Sequence, residues 1–151
     1  MQTYSSGLWQ IDLPPDWQPA EAPTDPAETA FESDDGTKGI LIGAWRLGEA
    51  RERTPRDVAA TFRANHLAGL VAMGGQAWET LVDEIVDLGP LSIVMSDAWA
   101  RDQSYRIVSV VLARPPVVVR AVFHDYLCED IDRSRAYFAA IVESLQLVES
   151  T

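Results

Sequence analysis

The chain is short of the residues on which most site chemistry is built. Among 151 residues there is one cysteine, Cys128, and there are two histidines, His66 and His124. A single cysteine excludes an intrachain disulfide and a cysteine-based metal centre. The histidines lack HExxH-type spacing, so no metal and no cofactor is expected. Positive charge is scarce too: 12 Lys and Arg stand against 23 Asp and Glu, a net charge of −11. Nucleic acid binding requires phosphates to be neutralised by basic side chains, so nucleic acid is set aside, and anionic membrane surfaces with it. No apolar run approaches the roughly 20 residues that span a bilayer, so no membrane insertion is expected. The opening MQTYSSGLWQ has neither a basic nor an apolar signal-peptide region, which leads to the expectation of a cytoplasmic protein. Ser96 and Ser109 lie in no GxSxG elbow. The glycines of Asp34–Gly39 do not have phosphate-loop spacing and lead into a strand pattern.

What is present describes one folded unit, residues 1–151. Hydrophobic residues make up 47% and charged residues 23%, and five tryptophans supply large core anchors. Trp9, Ile11 and Leu13 alternate with polar residues, the pattern of a half-buried strand that Pro14-Pro15 ends. Residues 14–27 carry five prolines and read as an extended surface segment pinned by Trp17. Residues 28–32 and 39–47 read as strands around an Asp-Gly turn. GILIGAWRL, at 39–47, is apolar on both sides and is expected to be covered on both. Thr54-Pro55-Arg56-Asp57 opens a helix expected to reach Met73 and stop at Gly74-Gly75, with Ala59, Phe62, His66, Leu70 and Met73 on its apolar stripe. Strands follow within 77–88, 91–101, 105–114 and 117–126, and a helix over 132–145 that Asp130 or Asp132 caps. Its buried stripe is Ile131, Phe138, Ile141, Val142 and Leu145. Strands in runs with short turns predict an α+β fold: a curved antiparallel β-sheet flanked by two main helices.

Three clusters invite a chemical reading. HDYLCED, residues 124–130, concentrates titratable side chains, but strand alternation turns His124 and Asp125 to opposite faces, and Glu129 and Asp130 suit the start of a helix. It reads as a joint of the scaffold. Asp83, Glu84 and Asp87 read as a solvated face. His66 stands on an apolar helix stripe, where a packed role is the default and a groove the alternative. An enzyme reading would use a pocket of His66, Tyr126 and Cys128.

Two stretches support a resemblance. LWQIDLPPDW near the start and FAAIVESLQL near the end, with Ser144 and Leu145, resemble the opening and closing motifs of the PsbP-like superfamily, and the order of elements between them is similar. The resemblance implies an α/β/α sandwich and proteins that are mostly not enzymes but bind other proteins. It also implies, through a DcrB-like bacterial branch, small acidic dimeric chaperones that shelter apolar segments of type VI secretion effectors on an open sheet face.

The leading expectation is therefore a non-enzymatic adaptor or chaperone with a protein partner, and a homodimer is compatible with it. VVVRAVFHDY and SYRIVSVVLAR carry large apolar residues on both faces, and a face left uncovered marks a partner site. Trp45, Trp99 and Tyr105 are the expected anchors, ringed by Arg101, Arg106 and Arg120. The second expectation is an immunity protein whose negative charge meets a basic toxin.

Overall fold

The Asp-Gly turn forms as its residues dictate. Gly36 takes φ +72°, a left-handed value that glycine adopts without strain. The Asp35 carboxylate accepts hydrogen bonds from the Thr37 N–H at 3.0 Å and from the Ser33 and Thr37 hydroxyls at 2.8 Å. These bonds, the Thr37 N–H first, hold its pKa down at about 2. The turn joins β4 (Glu28–Ser33) to β5 (Lys38–Arg46). The computed structural model describes residues 1–21, 25–48, 53–73 and 77–148.

The remaining elements are β1 (Gln2–Ser5), β2 (Trp9–Leu13), β3 (Trp17–Pro19), α1 (Pro55–Ala72), β6 (Glu79–Leu88), β7 (Leu91–Ala100), β8 (Tyr105–Arg114), β9 (Val117–Asp125), α2 (Ile131–Ser144) and β10 (Gln146–Leu147). Seven strands form an antiparallel sheet in the order β3-β4-β5-β9-β8-β7-β6, and β1-β2-β10 form a small sheet. This is the α+β architecture that the pattern predicts, with α1 on one face and α2 with the small sheet on the other. Three short strands, β1, β3 and β10, were not expected; β3 turns the proline-rich segment into an edge strand.

Both helices begin as read. The Thr54 hydroxyl accepts the Asp57 N–H at 3.1 Å, and the Asp130 carboxylate accepts the N–H groups of Asp132 and Arg133. The expected stop at Gly74-Gly75 lies outside the described residues. Met73, expected on the buried stripe, is 47% exposed, because it caps the end of α1 one residue past the helix, whereas Leu70 in the last turn still packs on Ala98 and Ile107.

The main core lies under α2, where Trp9, Ile11 and Leu13 of the small sheet meet Phe31, Ile40, Phe123, Phe138 and Ile141. Trp17 is buried there and donates its indole N–H to the Tyr137 hydroxyl at 2.8 Å, which ties the proline-rich segment to α2. Ser144 and Leu145 close the same layer. The Ser144 hydroxyl oxygen accepts the Asp12 N–H at 2.9 Å, and Leu145 is buried.

At one end of this layer stands a buried ion pair. Arg106 grips Asp97 through two parallel hydrogen bonds, 2.9 and 2.8 Å, and donates a third to the Ser134 hydroxyl at 2.9 Å. Ser134 in turn donates to Asp125 at 2.8 Å. Arg106 and Asp97 are 5% and 4% exposed, so this is an interior network and not the surface ring expected for Arg106. Removing one partner strands a buried charge. Asp97→Ala should lower the unfolding free energy in urea by about 3–5 kcal/mol, and Asp97→Leu combined with Arg106→Met should lose less. A loss under about 1 kcal/mol for the single variant would show that the network carries no such weight.

Candidate functional site

The two faces of the large sheet are covered unequally. α1 packs chiefly against β6, β7 and β8. Two ion pairs place it there: Arg56 with Asp87 at 2.8 Å, and Arg63 in a two-pronged contact with Asp83. The acids expected to be a solvated face are solvent-exposed, and two of them, Asp83 and Asp87, also tie β6 to α1. Among the described residues α1 reaches only Val118 of β9 and Trp45 of β5 on that side, and no helix lies over β4 or over the Leu41 and Val122–Tyr126 lengths of β5 and β9. β5, expected to be covered on both faces, is sealed only beneath, where Ile40 and Ile42 are buried while Leu41 is partly open.

The result is a trough beside α1. One hollow of about 300 Å³ is lined by Ala30, Gly39, Leu41, His124 and Tyr126. A neighbouring one of about 290 Å³ shares Leu41 and His124 and adds His66, Leu70, Met73, Arg120 and Val122. Its floor follows from strand alternation: Val122, His124 and Tyr126 face α1, while Phe123 and Asp125 point into the opposite core.

Aromatic rings run across this floor. Trp78 meets Tyr105 at 5.5 Å between ring centres, Tyr105 meets His124 at 5.9 Å, and His124 stacks on Tyr126 at 5.5 Å and 3° between planes. The Tyr105 hydroxyl and His124 Nδ1 share a hydrogen bond of 2.7 Å. Further up, the Trp45 ring folds over Gly43, where any Cβ would enter the ring. Trp45 packs on Phe62, and Arg120 lies over it with its guanidinium carbon 5.4 Å from the ring centre.

Burial governs the titration here. It pushes the His124 pKa down to about 4, with His66 adding to the effect. Burial first, and then the Arg120 charge, also lowers His66. The Tyr105 hydroxyl is pushed up to about 12 by burial. These groups stay neutral near pH 7, and among the described residues none forms a nucleophile–base pair or a metal cluster.

The expected anchors do not all converge. Trp45, Tyr105 and Arg120 share the trough side. Trp99 is buried on the other face and donates its indole N–H to the Cys128 carbonyl at 3.0 Å. Arg106 is interior, as described. Arg101 is exposed and covers the Trp99 ring, 4.7 Å from its centre. Of the proposed pocket, His66 and Tyr126 line the two joined hollows. Cys128 is buried beyond the sheet at a separate cleft of about 390 Å³ by the start of α2. Burial raises its thiol pKa, the reverse of what an attacking thiolate needs. HDYLCED thus divides, as its alternation implied, with His124 and Tyr126 in the trough and Asp125 and Cys128 in the scaffold. Leu41, Val122 and Trp78 were not singled out from sequence; the available signal was one helix for seven strands on this side.

No family model matches the sequence, and no curated protein matches it either. Solved structures do. Cyanobacterial PsbP (CyanoP) from Synechocystis sp. PCC 6803, in solution, superposes with a TM-score of 0.70 at 12% identity, covering 97% of this chain and 92% of that one. A crystal structure from Bacteroides thetaiotaomicron superposes at 0.57, also at 12% identity, over 96% of this chain and 47% of that one. The fold is PsbP-like.

The His124 pKa sets a pH dependence. The unfolded chain takes up this proton near pH 6.5, while the folded chain resists until about 4. Between those values the unfolded state binds more protons, so stability falls as pH falls and is constant, for this group, above 6.5. His66 acts in the same direction. Urea unfolding should lose on the order of 2 kcal/mol from pH 6.5 to 4.5 through this group, and His124→Gln should flatten that slope. An unchanged slope in the variant would remove His124 as its source.

Proposed function

We propose that the protein is a non-enzymatic binding protein, an adaptor or chaperone, that receives an apolar polypeptide segment in the trough beside α1. The observation that carries this reading is the half of the sheet face without a helix, where partly open Leu41 and Val122 adjoin Tyr126, 50% exposed, and Met73, 47% exposed. Contiguous apolar surface of this kind is what partner sites are made of.

The shape favours a helical segment. Strands lie ~4.8 Å apart, so β3, β4, β5 and the open end of β9 span ~14 Å between their outer axes, room for one helix of ~10–12 Å diameter next to α1. A helix also satisfies its own backbone hydrogen bonds, whereas an extended chain laid on a sheet face would bury unpaired N–H and C=O groups. Rings already in place supply rigid contact area with little further entropy to lose.

On this reading the chain is a cytoplasmic member of the DcrB-like bacterial branch, and its client is a secreted, type VI effector with an apolar segment that needs shelter from water. The net charge of −11 supports a carrier role, since it keeps a chain with an open apolar face soluble. Apart from Glu28 and Glu32 on its β4 flank, the trough is lined by neutral and basic groups, which favours shelter over neutralisation of a basic toxin.

A photo-reactive phenylalanine placed at position 41 and, separately, at exposed Val86 on the other face tests the site in the native host. Position 41 should capture one stoichiometric protein, Val86 should not, and Val122→Glu should reduce capture about tenfold or more while the fold persists by circular dichroism. Equal labelling from both positions, or a bound metabolite with no protein, overturns the reading.

A further inference from the structure

Resting on that docking reading, we propose that the helical segment presents a carboxylate, from the middle of its apolar face, to Arg120 and His66. Arg120 projects from the centre of the sheet toward α1, and its neighbours in register are Gly43 on β5 and Val111 on β8, neither of which offers an acceptor. Of the other arginines on this side, Arg56 and Arg63 each hold an aspartate, and Arg53 donates to the Asp57 carbonyl and the Thr61 hydroxyl of α1. Arg120 has no carboxylate within ion-pairing distance among the described residues, and its Nε is buried without a hydrogen-bond partner. His66 Nε2 is buried without one too, and both side chains line the same hollow.

Two buried donor positions facing one apolar hollow are costly until a ligand completes them. A carboxylate fits best. Its oxygens accept charge-assisted bonds from the guanidinium, and one of them reaches His66 when Nε2 carries the proton. The Trp45 ring lies against one side of the guanidinium, and the Arg120 side chain lines the hollow. The charged and titrating groups around His66 are Arg120 and His124 on β9 and Asp83 on β6, and Asp83 is already held by Arg63. No competing anion therefore occupies the donors. The client is then distinguished from a plain apolar helix: it carries one Glu or Asp within the stripe it buries.

The test uses the full chain and two synthetic amphipathic helices about 18 residues long, identical except for Glu or Gln at the centre of the apolar stripe. At physiological salt, fluorescence anisotropy should show the Glu helix binding about tenfold tighter than the Gln helix. Arg120→Leu should erase that preference while still binding both, and Leu41→Glu should weaken both alike. Equal binding of the two helices to the unaltered protein overturns the carboxylate and leaves the docking reading standing. Failure of both helices to bind sinks the docking reading and this inference together. Octanoate binding that depends on Arg120, in the absence of helix binding, would assign the site to a small amphiphilic acid and overturn the polypeptide occupant.

Discussion

The buried grip of Arg106 on Asp97 is the constraint from which the rest of the molecule takes its shape. Through one guanidinium it joins β7 to β8, and through Ser134 and Asp125 it brings in α2 and β9. Desolvating two charges is costly, and the cost is offset only when geometry and hydrogen bonds are complete. Here they are complete, and the consequence is registry: α2 can start only where Ser134 meets the arginine. The indole of Trp99, held by the Cys128 carbonyl, fixes the chain just before that start. This end of the protein is thereby rigid and satisfied. Its one thiol is sealed, Asp97 and Asp125 serve as hydrogen-bond acceptors, and Asp130 caps the helix.

With one face committed to α2 and the small sheet, the other face is left to a single helix, whose Val58, Ala59 and Leu70 pack on β7, β8 and the start of β9. Arg56–Asp87 and Arg63–Asp83 are exposed or half-exposed pairs worth little each in free energy. Their effect is positional, because both draw α1 toward β6 at the sheet edge. β5 and β9 must then cover themselves, and they do so with rings. Trp45 folds over Gly43, and Tyr126 lies against Gly39. Glycine at these two positions lets an aromatic ring lie flat on the strand, so the surface is a shallow trough and not a filled core.

Much of this was legible in the sequence, and the misses share a cause. The Asp-Gly turn, the Thr54 and Asp130 caps, the α+β class and the opposed faces of His124 and Asp125 follow from local chemistry, which the chain carries residue by residue. What periodicity cannot say is what lies above a face. Hence Leu41 was expected to be covered, and Arg106 and Trp99 were expected at a surface. β1, β3 and β10 are two to four residues long, too short for alternation to register, and they exist because a partner strand is at hand. Within the trough, His66, Arg120, Tyr105 and Trp45 were visible as residue types worth watching; their juxtaposition depends on where α1 stops short.

An open apolar face raises the question of whether a second copy of the chain would be welcome there. The edges of the sheet answer part of it. β3 is three residues long and ends in Pro19, and β6 carries Asp83, Glu84 and Asp87, so neither edge invites another strand. On β4, Glu28 and Glu32 stand in register with Gly43 and Gly39, on the trough side. A second copy approaching this face would bring the same −11 charge and the same glutamates toward its twin. Under the docking proposal, apolar area alone would admit any greasy surface, whereas acid on one flank and an arginine without a carboxylate at the centre would discriminate. The partner so proposed is apolar in its stripe, not strongly acidic around it, and acidic at the single point that faces Arg120.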